Sequence, residues 1–238
     1  MNNRSALLLL LALAACSSPT PYATTTGELQ PKSTMTLSVT DASVEVYGPA
    51  AGQSPRQFTI AATSVASGAQ PPAPGVRRAG NGIVVTAPDV LDRLLVRAPD
   101  GVNVNVRNGR GNVSVTSITG NADVRTASGD IRIMIPGYAR AATGAGHLSV
   151  TLGATQWPGV LQFANGNGDI ELYIPETAKF HVRLHTDDGT LFTDFGLRGT
   201  ALGNAETIDA PVNGGGTDGI DVEAKHGTIR LLRLSPQA

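Results

Sequence analysis

The stretch "SGDIRIMIP" at residues 128–136 returns almost unchanged as "NGDIELYIP" at residues 167–175. Each copy consists of a glycine, an aspartate and a run with aliphatic residues two apart, and each ends in proline. Glycine tolerates a sharp corner, aspartate can bond its own backbone there, and side chains two apart in a strand point to the same side. Proline lacks a backbone donor and ends the strand. The stretch therefore predicts a corner followed by a short strand.

The same corner motif, a glycine and a small polar or histidine residue before the aliphatic run, recurs through the second half of the chain. The motif glycines are Gly111, Gly129, Gly146, Gly168, Gly189 and Gly227, with one extra copy at Gly120. They are 18, 17, 22, 21 and 38 residues apart, and the last interval predicts either two rungs or an insertion. One short strand cannot bury its apolar face alone, whereas stacked copies bury a continuous column.

The predicted fold is therefore all-β, a β-solenoid of the β-helix or β-roll type with Gly-Asp and Gly-Asn corners, preceded by capping strands before residue 109. A β-sandwich is the alternative, because short strands at regular spacing also fit it. The composition agrees, since aromatic residues make up only 4% of the 238 residues while 28 glycines and 15 prolines punctuate them. A net charge of −1 with 16% charged residues argues against nucleic acid as a partner.

The N-terminus has the pattern of a secretory signal. Arg4 precedes the apolar run 6–15, which is shorter than the roughly 20 residues that a spanning helix needs. The run ends in Leu13, Ala14, Ala15 and Cys16, which resembles the lipobox of bacterial lipoproteins. The alternative is an ordinary signal peptide with an incidental cysteine.

The lipoprotein resemblance implies that residues 1–15 are a signal peptide and that Cys16, the single cysteine, carries diacylglycerol and an amide-linked acyl chain such as palmitate. Three chains are enough to hold a protein on a membrane without spanning it. Ser17 stands where an aspartate would resemble an inner-membrane retention signal, which favours the outer membrane of a bacterial envelope. Residues 16–30 then form the lipidated cysteine and a tether, and residues 31–238 a single all-β domain.

Four motifs carry a further resemblance: "DRLLVRAPDGVNVNVRNGRGNVSV" (92–115), "VRTASGDIRIMIP" (124–136), "FANGNGDIELYIP" (163–175) and "GGGTDGIDVEAKHGTIRLLR" (214–233). Over residues 35–234 the chain resembles the bacterial "putative adhesin" family of β-strand-repeat domains of unknown function, which lipoproteins often carry. The resemblance implies an adhesin-like or scaffolding role and no established catalytic residues. Gly-Thr in place of Gly-Asp at 189 and 227 departs from the pattern.

The residues that follow the motif glycines form the candidate site. If the corner motifs stack in register, a ladder climbs one corner: Asn112, Asp130, His147, Asp169, Thr190, Thr228. Rungs lie about 4.8 Å apart, so His147 would lie between Asp130 and Asp169. One hypothesis is that these three side chains favour an imidazolium or surround a divalent metal. The alternative is a column of turn-capping side chains, with no metal and no cofactor.

The predicted function is that of a non-enzymatic, lipid-anchored envelope protein. It would present outward residues to an envelope glycan or a surface protein, among them Arg125, Arg132, Ser149 and Glu171. A carbohydrate-active β-helix enzyme is an alternative, and it requires acids that converge in a groove. A periplasmic signalling or stress accessory with a protein partner is another. The final strand, 228–232, is a candidate open edge for self-association.

Overall fold

A computed structural model describes residues 21–64, 71–89, 91–216 and 219–234. The predicted signal peptide, lipobox and Cys16 lie outside these residues. The described strands are β1 (Ala23–Glu28), β2 (Thr34–Asp41), β3 (Ser43–Tyr47), β4 (Gln57–Thr63), β5 (Gly75–Ala79), β6 (Gly82–Thr86), β7 (Arg93–Arg97), β8 (Asn103–Arg110), β9 (Val113–Thr116), β10 (Ala122–Ser128), β11 (Ile131–Ile135), β12 (Ala139–Thr143), β13 (Leu148–Leu152), β14 (Val160–Asn167), β15 (Ile170–Pro175), β16 (Phe180–Asp188), β17 (Leu191–Thr193), β18 (Thr200–Leu202), β19 (Ala205–Val212), β20 (Gly219–His226) and β21 (Ile229–Leu234). Within these ranges, no helix is long and apolar enough to cross a membrane.

The strands form two mixed sheets, each of which runs the length of the stack. Sheet A has the order β1-β4-β7-β3-β9-β11-β13-β15-β21-β17, and sheet B has the order β18-β19-β16-β20-β14-β12-β10-β8-β2-β6-β5. Eight rungs give one strand to each sheet, and neighbouring rungs pair in parallel. Antiparallel strands lie at the ends, as β1 does on β4. The predicted all-β, solenoid-like fold is confirmed, and the two layers are wound as successive rungs.

The last rung in sequence is not the last rung in space. Strands β20 and β21 lie between the β14–β15 rung and the β16–β17 rung. After β17 the chain turns back as the hairpin β18–β19, which pairs antiparallel with β16 and occupies the far side of that strand. The predicted order of Thr190 before Thr228 is therefore wrong, and so is the prediction that residues 228–232 form an open edge. That edge of sheet A is β17.

The N-terminal half is also part of the stack. Strands β2 and β3 form a rung between β6–β7 and β8–β9, so the solenoid begins well before residue 109. Strand β1 pairs along its length with β4, although its residues fall within the predicted tether 16–30. Its run of β-branched threonines suits a strand. Residues 23–28 are therefore part of the stack and not of a tether.

Alternate residues of every rung fill the space between the sheets. On β11 the buried side chains are Ile131, Ile133 and Ile135, while the residues between them face outward. Burying one such side chain contributes about 1.5–3 kcal/mol. Among the described residues, Phe163 and Phe180 in sheet B are the largest of the fully buried side chains. The repeating alternation fixes which residues of each strand can meet a ligand.

Candidate functional site

The motif glycines form the sharp corner through which each rung passes into sheet A. Gly129, Gly146 and Gly168 have φ of 125°, 134° and 129°, a conformation that side chains with a Cβ rarely adopt. A methyl group on Gly146 would lie 2.4 Å from the Gly129 carbonyl oxygen of the rung below. Glycine is therefore required both by the backbone conformation and by the close stacking of the corners.

The extra copy of the motif at Gly120 has a different position. It precedes β10 in sheet B, on the other side of the rung, and a Cβ there would lie 2.1 Å from the Val102 carbonyl oxygen. It belongs to the opposite corner, and the interval of 18 residues between Gly111 and Gly129 is one complete rung.

The residues after the motif glycines form one row along the stack, which we call the corner row. In spatial order its members are Asn112, Asp130, His147, Asp169, Thr228 and Thr190. The Asp130 N–H donates to Asn112 Oδ1 (2.9 Å), and the His147 N–H donates to Asp130 Oδ1 (2.8 Å). The Thr228 N–H likewise donates to Asp169 Oδ1 (2.8 Å). The carboxylates of the corner row thus cap the backbone of the next rung.

His147 lies between Asp130 and Asp169 in the row, as predicted, but its ring points elsewhere. Its Nε2 lies 3.7 Å from Glu171 Oε2, on the outer face of sheet A. Asp169 is held by Thr228 and by Arg230, whose Nη1 lies 3.2 Å from Oδ2. Among the described residues, no three His, Cys, Asp or Glu side chains are grouped to hold a metal ion. Asp130 and Asp169 therefore have the geometry of turn caps, whereas the His147 side chain faces Glu171.

Asp169 has the most altered electrostatics in the corner row. The hydrogen bond from the Thr228 N–H lowers the pKa of the Asp169 carboxyl, although partial burial acts in the opposite direction. The Arg230 guanidinium and the His147 ring lower the pKa further. Each of these causes is a contact within the fold. The lowered pKa is therefore what we expect of a carboxylate that stabilises the structure.

A second polar row lies just inside the corner, and sequence reasoning missed it. These buried side chains come three residues before the motif glycines, and we call them the inner row: Asn108, Thr126, Thr143, Asn165 and Thr186. Asn165 Nδ2 donates to the Gly146 carbonyl (2.8 Å), and Thr143 Oγ1 donates to the Gly129 carbonyl (3.1 Å). The signal was an Asn or Thr three residues before the glycine, which recurs in "NGRGN", "TASGD" and "NGNGD".

The outer face of sheet A contains the second candidate site, a shallow concavity of about 1010 Å³ over β3, β9, β11, β13 and β15. These five strands and the neighbouring β21 bring one outward residue each into a line, which we call the face row: Glu45, Ser114, Arg132, Ser149, Glu171 and Arg230. From β3 to β15 the row crosses four strand spacings, about 19 Å. The face row therefore fits an extended ligand that lies across the strands.

The two ends of the concavity are built alike. At one end, Tyr47 Oη donates to Glu45 Oε2 (3.0 Å), and Arg93 Nε lies 3.2 Å from Glu45 Oε1. At the other end, Tyr173 Oη donates to Glu171 Oε2 (3.1 Å). The hydrogen bond to Glu45 raises the pKa of Tyr47. Both carboxylates are engaged by their neighbours, so each end presents a tyrosine ring held in place.

A cation lies next to the β15 end of the concavity, on the neighbouring strand β21. Arg230 Nη1 lies 3.5 Å from Glu171 Oε1 and partly offsets its charge. Burial, followed by the hydrogen bond to Glu171, raises the pKa of Tyr173. The tyrosine hydroxyl therefore stays protonated and can donate.

The middle of the concavity differs, because its cation has no hydrogen-bond or ion-pair partner among the described residues. Arg132 makes no hydrogen bond or ion pair with any described residue. In register beside it stand Ser114 on β9 and Ser149 on β13, and Met134 on the same strand is 40% exposed. The centre of the face row thus offers an available guanidinium among hydroxyl groups.

The outward residues that the sequence assigns to one surface lie on two different faces of the structure. Arg132, Ser149 and Glu171 are together in the face row, as predicted. Arg125 is on β10, on the outer face of sheet B. It lies only seven residues before Arg132, but the chain passes a corner between them. The prediction that Arg125 shares this face is wrong.

Comparison with known proteins identifies a family but no characterised relative. The profile of the family described as "Toastrack DUF4097" matches residues 100–232, which is 133 of 238 residues. No curated protein matches the chain. A solved "putative cell adhesion protein" from Clostridium sporogenes ATCC 15579 is 10% identical, with a TM-score of 0.49, and the match covers 89% of this chain and 99% of that one. A "putative adhesin" from Bacteroides fragilis NCTC 9343 is 9% identical, with a TM-score of 0.30 and coverages of 89% and 96%.

Proposed function

We propose that this chain, which belongs to the Toastrack DUF4097 family, is a non-enzymatic, adhesin-like envelope protein that binds an acidic glycan across the face row. The observation that carries the proposal is Arg132, which has no hydrogen-bond or ion-pair partner in the described part of the chain and lies at the centre of a hydroxyl-lined concavity. Arginine binds carboxylates through paired donors, and serine hydroxyls can bond sugar hydroxyls. The tyrosines at both ends supply rings against which sugar faces can pack.

The charge distribution favours an anionic ligand. Three carboxylates line the concavity. Glu45 and Glu171 are each paired with an arginine, and Asp130 accepts a hydrogen bond from the His147 N–H, so they oppose an anion less than free carboxylates would. Arg132 is the cation left without a partner among the described residues of this row. Binding should therefore weaken as the ionic strength rises.

A hydrolase is less well supported. A general acid needs a raised pKa. The pKa values of the Asp169 and Asp209 carboxyls are both lowered, which is the direction opposite to that of a general acid. In Asp209 the main cause is the hydrogen bond with His181. These carboxylates suit ion pairing.

The test uses the mature protein in detergent and oligogalacturonates of graded length. Affinity should increase with length until the ligand spans β3 to β15. The matched control is the same oligosaccharide with its carboxyl groups reduced to alcohols, which should bind at least about tenfold more weakly. Equal binding of both ligands, or no binding of either, would contradict the proposal. Retention of one envelope protein instead would favour the accessory role.

Lipid anchoring at Cys16 is part of the same proposal, and its support is the lipobox-like sequence before it. Metabolic labelling with palmitate should label the wild-type protein and leave Cys16→Ser unlabelled. The variant should also leave the membrane fraction, because no other acyl chain would hold it. A labelled Cys16→Ser variant would remove this part of the proposal.

A further inference from the structure

The outer face of sheet B carries a separate hollow of about 580 Å³, on the opposite side of the molecule from the face row. Its floor contains Ala142 on β12 and Ala164 on β14, which are direct neighbours in the sheet register. Longer side chains stand on the strands to either side. The two methyl groups therefore leave a recess whose size is typical of a small-ligand site.

One wall of this hollow is cationic. Arg125 on β10 is next to Ala142 in register, and Arg140 is on β12 itself. The Arg125 Nε lies 3.7 Å from Asp123 Oδ1, and its side chain is 61% exposed. The guanidinium of Arg140 lies over the Tyr138 ring, 5.4 Å from its centre. Both guanidinium groups retain donors for an anion.

The opposite wall is anionic. Asp221 and Glu223 are two residues apart on β20, so both point outward, and Glu223 is next to Ala164 in register. Neither carboxylate makes a hydrogen bond or an ion pair within the described part of the chain. The basic side chains on the next strand contact other carboxylates: Arg183 contacts Asp209 (3.3 Å) and His185 contacts Asp187 (2.9 Å).

We propose that this hollow binds a short zwitterionic peptide of small residues, about three residues long. Its terminal carboxylate contacts Arg125 and Arg140, and its terminal ammonium contacts Asp221 and Glu223. Small side chains pack on the alanine floor. The backbones of β10 and β20 are three strand spacings apart, about 14 Å, and an extended tripeptide spans about 10 Å. The long side chains of both walls can cover the remaining distance.

The experiment measures binding of trialanine to the mature protein in detergent by isothermal titration calorimetry. N-acetyl-trialanine and trialanine amide are matched probes, since each lacks one terminal charge. We expect trialanine to bind at least about tenfold more tightly than either blocked peptide, because each end makes charge-assisted hydrogen bonds. Equal affinity for all three peptides, or no binding of trialanine at millimolar concentration, would overturn the proposal.

Two substitutions assign the ends of the peptide. In Glu223→Gln the preference for trialanine over its acetylated form should decrease, because Asp221 alone remains to contact the ammonium, while the preference over the amide persists. Arg125→Met should have the opposite pattern. Arg132→Ala, on the other face, should leave trialanine binding unchanged, and this separates the site from the glycan site. Uniform weakening by all three substitutions would contradict the assignment.

Discussion

The corner row and the face row run side by side along the same strands, yet they differ in what their side chains contact. Asp130 accepts a hydrogen bond from the backbone of the next rung, whereas Arg132, two residues later, makes no hydrogen bond or ion pair with any described residue. The corner row repeats Asn, Asp or Thr in five of its six members, while the face row changes from Ser to Arg to Glu. Repetition within the chain marks the architecture, and departures from repetition mark the surface that can select a ligand.

The largest effect should come from removing a corner glycine. Gly146→Ala places a Cβ at φ 134° and 2.4 Å from the Gly129 carbonyl oxygen. Backbone strain and overpacking should together lower the free energy of unfolding by about 2–6 kcal/mol, measured by urea denaturation. Gly137→Ala is the control, since no atom lies within 4 Å of its Cβ position. Equal stability of both variants would show that the corners are not closely stacked.

Substitution in the inner row should cause the next largest loss of stability. Asn165→Ala leaves the buried Gly146 carbonyl without its side-chain donor, which should cost about 1–3 kcal/mol in urea denaturation. Asn165→Thr should recover part of this loss, because Thr143 bonds the corresponding carbonyl one rung below. If threonine were as destabilising as alanine, the inner row would not act through hydrogen bonds to the corner carbonyls.

The pH dependence of stability should isolate Asp169. Its pKa in the folded protein is below the ordinary 3.8, so its stabilisation is present above pH 3.8 and is lost as the pH falls through the folded value. The Asp169 side chain is 39% exposed, so the contribution is at most about 1 kcal/mol. The free energy of unfolding of wild type should exceed that of Asp169→Asn by a constant amount above about pH 5. Plotted against pH, the two free energies should converge in acid. A difference that widens in acid would contradict this.

The sequence identifies the rung but not the order of the rungs. The corner motif predicts each corner and the strand that follows, because glycine, a polar cap and alternating aliphatics are local requirements. Every rung offers the same edge to its neighbours, so the local pattern does not show that Gly227 stacks between Gly168 and Gly189. That order depends on the antiparallel contact of β19 with β16, which is tertiary.

For the candidate sites too, the sequence predicts local features but not how the stack brings them together. Alternation identifies Arg125 and Arg132 as outward residues, but it does not reveal the corner that sends them to opposite faces. Tyr47 and Glu45 were missed because β3 precedes the recognisable corner motifs. The hollow in sheet B was not predictable, since its alanine floor and acidic wall come together only through the stacking of β12, β14 and β20.

The central claim is that the side chains of the corner row stabilise the fold and that those of the face row bind the ligand. The most direct test measures both unfolding and oligogalacturonate binding for Asp130→Ala and Arg132→Ala, two substitutions two residues apart. We predict that Asp130→Ala loses about 1 kcal/mol of stability and binds normally. Arg132→Ala should have a free energy of unfolding within about 0.5 kcal/mol of that of wild type, and its affinity for oligogalacturonate should fall at least about tenfold. Loss of binding in Asp130→Ala, with normal binding in Arg132→Ala, would contradict the account.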